Sequence, residues 1–314
     1  MSALPAVITE STLETGVPLG VRGRLAAYGE LTKVRLSSLV LVTTAVGALL
    51  ASGGLFDGPA LSPVRFGLIL LGTALAAFGA NAWNQWLEAP LDARMTRTRG
   101  RPIPSGRLSR TEAAAVAAAL TVVGPALLLA VGGPLAALLA LAVIVSYALV
   151  YTPLKQRSAA CTQIGAVCGA IPPAIGWVAV TGRMDPGAWA LFGILFVWQI
   201  PHFLAIDWVH KDDYARGGFR MLSGVDPTGA LSGQLALVYA MALVPVTLLT
   251  TVVGLGGWIY VVAAFGLSLS FLAVAAAFAW TRSQVWARRL FLASLAWLPL
   301  VLGLLVADPT GPIR

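Results

Sequence analysis

Long apolar runs, broken by short polar or glycine- and proline-rich connections, set the pattern of this chain. A helix needs about 17–25 mostly apolar residues to cross a bilayer. Nine stretches qualify, at roughly 36–54, 66–86, 113–131, 134–152, 160–181, 187–206, 232–253, 255–279 and 290–306. Turns such as Gly132-Gly133-Pro134 and Gly254 to Gly257 separate consecutive runs, because glycine and proline end one helix and open the next. Small residues inside the runs, Gly72, Ala74, Ala76 and Ala80 among them, allow close helix packing in lipid. The pattern predicts an all-α fold of nine transmembrane helices. The start of the chain is polar, without the charged head, short apolar stretch and cleavage site of a removable signal peptide. It reads as a partly disordered tail over 1–32, followed by a membrane domain over 33–306 and a short tail over 307–314.

Composition agrees and narrows the class. Of 314 residues, 58% are hydrophobic and 11% charged, against roughly a quarter charged in a soluble domain. The mean hydropathy is +0.84. A soluble globule, a disordered chain and a nucleic-acid binder are all excluded. The net charge of +8 is a topology signal: with the N-terminus inside, eighteen of the twenty-one Lys and Arg residues fall on inside segments and only Arg65, Arg183 and Arg314 outside. That split obeys the positive-inside rule and supports nine spans, since one more or one fewer would scramble it. The two cysteines, Cys161 and Cys168, form no CxxC or CxxCH motif, which argues against a zinc site, a redox pair or covalent haem attachment. They read as small apolar residues on one face of a packed span.

Acidic residues gather on the same side, ten of thirteen falling inside. One cluster follows the second span, Asn81-Ala-Trp-Asn84-Gln-Trp-Leu-Glu88-Ala-Pro-Leu-Asp92, and another follows the sixth, Asp207-Trp-Val-His210-Lys211-Asp212-Asp213-Tyr214-Ala-Arg216. An even number of spans separates them, so both face one side. Asn84, Glu88 and Asp92 recur at i, i+4 and i+8, which places three oxygens along one helix face. Hard oxygen ligands at this spacing suit Mg²⁺, which binds through one or two carboxylates plus substrate phosphate. The bland alternative is interfacial capping and pairing with the arginines nearby. Pro90 removes a helix N–H and crowds the preceding turn, so a kink or helix end is expected there, with Asp92 less securely placed than Asn84 and Glu88.

An arginine-rich run follows at once, from Arg94 through Arg97 and Arg101 to Arg107, with Pro102 and Pro104 stiffening it. Arginine forks bind phosphate bidentately, so carboxylates beside this loop describe a diphosphate site. Tyr151-Thr-Pro-Leu-Lys155, at the inner end of the fourth span, offers either a snorkelling anchor or a partner for a leaving diphosphate. Trp198, Tyr214 and other span-end aromatics fit an interfacial belt, although some can face a cation or a flat macrocycle. His202, in Trp198-Gln-Ile-Pro-His-Phe203 of the sixth span, is a haem ligand, a proton carrier or a hydrogen-bonded structural residue.

Together these segments resemble the UbiA-type membrane prenyltransferase superfamily that includes 4-hydroxybenzoate polyprenyltransferase, and within it the haem O synthase (protohaem IX farnesyltransferase) family. The resemblance spans about residues 30–306. It is carried by Asp92-Ala-Arg-Met-Thr-Arg-Thr-Arg-Gly-Arg-Pro-Ile-Pro-Ser-Gly-Arg107, by Gly169-Ala-Ile-Pro-Pro-Ala-Ile-Gly-Trp-Val-Ala-Val-Thr-Gly182, and by Trp198-Gln-Ile-Pro-His-Phe203 running into Asp212-Asp-Tyr-Ala-Arg-Gly-Gly-Phe-Arg-Met221. It implies a nine-helix bundle with a cytoplasm-facing cavity. Asn84, Glu88 and Asp92 take the first metal–diphosphate motif, Lys155 with Tyr151 the YxxxK position, and Lys211, Asp212 and Asp213 the second motif. Arg94, Arg97, Arg101, Lys155, Lys211 and Arg216 are the expected diphosphate cations. His202, Tyr151, Trp198 and Tyr214 are the expected acceptor pocket. The family commonly carries Asp-Arg-Asp-x-Asp across 88–92, whereas this chain reads Glu-Ala-Pro-Leu-Asp, one carboxylate short.

The implied reaction is farnesyl transfer from farnesyl diphosphate to a vinyl group of haem b, with addition of water, giving haem O. Mg²⁺ is the implied cofactor and haem b a substrate. The implied setting is a bacterial cytoplasmic (inner) membrane, N-terminus inside, with haem A synthase or oxidase assembly factors as partners. The alternatives are prenylation of an aromatic acid, quinone precursor or chlorophyllide, a non-catalytic assembly role, and transport. Transport fits poorly, because the spans are nearly free of charge and the acids gather at one face.

Overall fold

The computed structural model describes residues 19–53 and 61–310. The expected absence of a signal segment, the first eighteen residues of the tail, position 54 of the first run and Arg314 lie outside the described residues.

Nine helices among the described residues are long and apolar enough to cross a membrane. They are α2 (Val34–Ala51), α3 (Pro63–Asp92), α4 (Arg110–Gly132), α5 (Pro134–Leu154), α6 (Cys161–Thr181), α7 (Pro186–Val209), α10 (Ala230–Val252), α11 (Trp258–Thr281) and α12 (Gln284–Ala307). Two short helices, α8 (Lys211–Gly217) and α9 (Leu222–Val225), link α7 to α10. Inside the expected tail the chain forms one more helix, α1 (Val21–Leu31). Its Ala27 and Leu31 are fully buried, and Gln85 of α3 donates to the Glu30 and Leu31 carbonyls at 2.6 and 3.0 Å, so the last third of that tail is docked.

Side-chain caps fix the helix starts. Ser62, Ser109, Asp185 and Ser283 each accept a backbone N–H of the first turn, filling donors that the helix leaves open. The cap at Ser283 starts α12 at Gln284, so the stretch 284–289, read from sequence as loop, is the first turns of the last span. Likewise α3 runs on past Pro90 and ends two residues later at Asp92. The missing N–H falls in the final turn, where little helix remains to be disrupted, and Asn84, Glu88 and Asp92 share one buried face at 1, 3 and 0% exposure.

Close contacts between backbones set the bundle. A Cβ on Gly124 of α4 would stand 2.5 Å from the Ala76 nitrogen of α3, and Gly72 of α3 lies against Leu128 of α4. Helices α2 and α6 interlock reciprocally: Gly47 faces the Pro173 carbonyl and Gly176 faces the Thr44 carbonyl. Each pair is three residues apart, the spacing that lets small residues share one helix face.

On the face opposite the basic loops, Arg65 of α3 donates from Nε to the Val131 carbonyl at 2.9 Å and from Nη2 to the Ala179 carbonyl at 2.7 Å. One guanidinium thus caps the C-terminal ends of α4 and α6. Hydrogen bonds from a charged donor are worth about 1.5–3 kcal/mol each. Arg65→Met is therefore expected to lower the melting temperature in detergent by several degrees while leaving substrate affinities near wild type. An unchanged melt would show the caps to be dispensable.

Candidate active site

At the basic face, the oxygens of α3 meet cations drawn from three other segments. Asn84 Oδ1 accepts from Lys33 Nζ at 2.8 Å, and Asn84 Nδ2 donates to Thr152 Oγ1 at 2.9 Å. Glu88 Oε1 accepts from Lys155 Nζ at 2.8 Å. Asp92 Oδ2 accepts from Arg101 Nη1 at 2.6 Å, and the same nitrogen lies 4.0 Å from Glu88 Oε2. Two carboxylates and a carboxamide thus sit among three cations. The i, i+4, i+8 spacing read from sequence is what brings them together.

Each cation is delivered by a local feature. Lys33 occupies the one-residue bend between α1 and α2, in the left-handed region at φ 50°. A non-glycine residue held there costs on the order of 1–3 kcal/mol. Burial, with repulsion from Arg101 and Lys155, lowers its pKa to about 7. Burial also works against the charge of Lys155, but Glu88 overcomes it and the pKa ends raised. Lys155 is reached through a π-turn over Ser146–Tyr151, which widens the helix by one residue, a device frequent at functional sites. There Tyr147 and Tyr151 stack at 5.2 Å, and Lys155 lies 4.4 Å from the Tyr151 ring centre. Arg101 sits in the loop after α3, which is ordered as its prolines suggest: Met95, Ile103 and Leu108 are buried in it, and Arg107 pairs with Glu30.

The second acidic cluster meets this loop through one residue. Asp213 accepts backbone N–H groups of Thr96 at 3.1 Å and Arg97 at 3.4 Å, and Arg216 at 2.7 Å. Arg97 also lies over the Tyr214 ring at 5.7 Å. The two clusters do face one side, and Asp213 clasps the arginine loop. Its neighbour Asp212 and Arg94 are exposed, and Lys211 lies over the Trp208 ring at 4.3 Å. Burial raises the pKa of Asp213, but Arg216 and the two N–H groups outweigh it and leave the pKa lowered. A depressed carboxyl contributes stability that is complete above its unfolded pKa and lost as pH falls through the folded value. Asp213→Asn is thus expected to leave the melt at pH 3 nearly unchanged, to lower it at pH 7, and to weaken diphosphate affinity. Equal losses at both pH values would rule out an ionised clasp.

The four expected acceptor residues occupy two places. Tyr151 and Tyr214 pack with Met95, Cys161, Phe219 and Met221, beside Lys155. Trp198 and His202 stack on each other at 5.0 Å and bond to Ser294 of α12. Cys161 and Cys168 are free and buried. Lys33 and Thr152 are additions that the residue pattern does not single out. Lys33 reads there as one more basic anchor, and only its position after the helical α1 turns it toward Asn84.

Among the described residues no three His, Cys, Asp or Glu side chains converge as a metal site. The buried Oδ1 of Asp92, however, has no hydrogen-bond partner. That lone carboxylate oxygen, with Glu88 and Asn84 on the same face, fits a Mg²⁺ ion completed by substrate phosphate and water.

The model of the UbiA prenyltransferase family matches residues 40–299. The chain belongs to the UbiA prenyltransferase family. It is 45% identical over 288 residues to the protohaem IX farnesyltransferase of Opitutus terrae, covering 91% of this chain and 95% of that one. It is 40% identical to the mitochondrial protohaem IX farnesyltransferase of Homo sapiens, covering 90% of this chain and 62% of that one. The family fold recurs in a structure of digeranylgeranylglyceryl phosphate synthase at a TM-score of 0.75 and 18% identity, covering 90% of this chain and 98% of that one. It recurs in a UbiA homologue from Archaeoglobus fulgidus bound to GPP and Mg²⁺, at a TM-score of 0.60 and 13% identity, covering 90% and 99%.

Proposed function

We propose that this chain transfers the farnesyl group of farnesyl diphosphate to a vinyl group of haem b, with addition of water, releasing diphosphate and giving haem O. The observation that carries the donor half is the convergence of Lys33, Arg101 and Lys155 on Asn84, Glu88 and Asp92. The acceptor half is supported by the relatives at 40–45% identity named protohaem IX farnesyltransferase.

Asn84, Glu88 and Asp92 would hold Mg²⁺, which supplies charge neutralisation to the diphosphate when bound. Lys33, Lys155 and Arg101 hold the diphosphate oxygens, with Arg94, Arg97, Lys211 and Arg216 adding positive potential around them. These groups stabilise the charge that develops as the C1–O bond breaks and its electron pair leaves on the diphosphate, the kind of preorganised stabilisation that dominates many enzymes. The rings of Tyr151 and Tyr214, beside Lys155, can face the positive allylic C1. The vinyl π-electrons form the new bond to C1, leaving a cation next to the porphyrin. Water adds there and loses a proton. Asp212 and Asp213 enter differently from a symmetrical second metal pair: Asp213 holds the loop that carries Arg101. The protein acts in the bilayer, with its basic face in the cytoplasm of a bacterial cell and haem A synthase or oxidase assembly factors receiving the product.

The test is an assay of detergent-solubilised protein with haem b, farnesyl diphosphate and Mg²⁺, reading the porphyrin by mass spectrometry beside Glu88→Gln. A farnesylated, hydrated haem is expected, reduced about 100-fold or more in the variant. Turnover of farnesyl diphosphate only with an aromatic or quinone acceptor would overturn the haem assignment. Inertness with every acceptor would favour an assembly role.

A further inference from the structure

We infer that His202 is an axial ligand for the acceptor's iron, at a groove between α7 and α12 whose outer rim takes the porphyrin carboxylates. The inference rests on the reading of haem b as acceptor and places it against named side chains.

The hydrogen bonds around Ser294 determine the histidine tautomer. Ser294 Oγ lies 2.6 Å from the Phe291 carbonyl. Two oxygens at that separation share a proton, and a serine hydroxyl has only one to give. His202 Nδ1, 2.7 Å from the same Oγ, must therefore be the donor. The imidazole then carries its proton on Nδ1 and a bare lone pair on Nε2, which has no hydrogen-bond partner among the described residues. Fixing one ring nitrogen by a hydrogen bond so that the other can ligate is how metal-binding histidines are oriented. The ring is further held by stacking on Trp198 at 5.0 Å and against Phe291 at 5.3 Å. A histidine with only a structural role in a span needs one partner, and Ser294 already supplies it; nothing in that role explains an open second nitrogen.

The same Phe291 lines a groove of about 320 Å³ with Ile206, Val209, Leu292, His210 and Arg288. Its floor is apolar and its outer rim holds an arginine and a second imidazole. Arg288 is exposed and has no acidic partner among the described residues. An apolar, carboxylate-bearing disc with a central iron matches this order of groups: imidazole inside, apolar wall, then a guanidinium suited to a carboxylate fork. His202 and His210 are eight residues apart, about 12 Å along the helix, a span on the scale of a porphyrin measured from its iron to its carboxylate edge. No other class of acceptor considered for this fold uses both an open imidazole nitrogen and a cationic rim.

The experiment adds haemin to the purified full-length protein, without farnesyl diphosphate, and records absorption and resonance Raman spectra. Wild type is expected to give a histidine-ligated spectrum. His202→Met should convert it to that of another ligand, and His202→Gly should lose it until free imidazole restores it. Arg288→Leu should keep the wild-type spectrum but weaken haem binding about tenfold, the loss of roughly one charge-assisted hydrogen bond. A spectrum unchanged in both His202 variants, with wild-type affinity, would overturn the ligation and leave the haem reading standing. Failure of the wild-type protein to bind haemin would overturn both, and only that outcome would reach the proposed reaction.

Discussion

Arg101→Met is expected to lower kcat/KM for farnesyl diphosphate by about 10³-fold and to destabilise the protein by about 3–5 kcal/mol. Both effects have one origin. Asp92 is fully buried, its Oδ1 has no partner, and its Oδ2 is bonded only to Arg101 among the described residues. Removing the guanidinium leaves a bare carboxylate in the interior, the case in which breaking a buried pair costs most. It also takes from Glu88 one of its two cations. Arg101→Lys keeps the charge but cannot bridge two carboxylates with a rigid fork, and should fall between wild type and Met. Pairing Arg101→Met with Asp92→Leu should restore much of the melting temperature and none of the activity. The check is steady-state kinetics beside thermal denaturation in the same detergent. A double variant that regains turnover would show that neither residue takes part in the chemistry.

Gly176→Leu is expected to abolish accumulation of folded protein, and Gly176→Ala to lower its melting temperature markedly. A Cβ at this position would stand 1.9 Å from the Thr44 carbonyl oxygen and 2.9 Å from the Ala48 nitrogen. Ordinary carbon contacts lie near 3.5–4.0 Å, so even a methyl group forces α2 and α6 apart. No rotamer relieves the clash, because both neighbours are backbone. Overpacking in a core costs typically about 1–3 kcal/mol, and here the same displacement also opens the reciprocal contact of Gly47 with Pro173. Since α2 begins at Lys33 and α6 packs Gly165 against the Tyr151 ring, the surviving fraction of Gly176→Ala should show raised KM as well. Expression with size-exclusion chromatography, and melts of the Ala variant, decide the matter. A Leu variant eluting as wild type would mean that the helices slide past one another freely.

These residues also show what the chain discloses unaided. Spans are legible because apolar length is the physical requirement for crossing lipid. The face bearing Asn84, Glu88 and Asp92 is legible because a four-residue step is nearly one helical turn. Lys33 is not, since a lysine before a span satisfies the positive-inside rule whether or not it reaches a carboxamide 51 residues away. Pro90 misleads in the other direction: its rule concerns helix interiors, and at the last turn it has almost nothing to break. Ser283 was the signal for the early start of α12, a serine three residues before Trp286, whose N–H it accepts. The separation of Trp198 and His202 from Tyr151 and Tyr214 depends on which neighbour each helix face meets, and that is settled only by tertiary packing.

The π-turn at Ser146–Tyr151 gives this stretch a kind of reading frame. Deleting a single residue there would restore a regular helix and rotate everything beyond it by about 100° while drawing it back about 1.5 Å. Thr152 would leave Asn84, and Lys155 would leave Glu88, although every side chain of the site was still encoded. Substitutions in this turn alter one contact each. A change in residue count alters all of them together, so the number of residues between the span and Lys155 carries as much of the site as their identity.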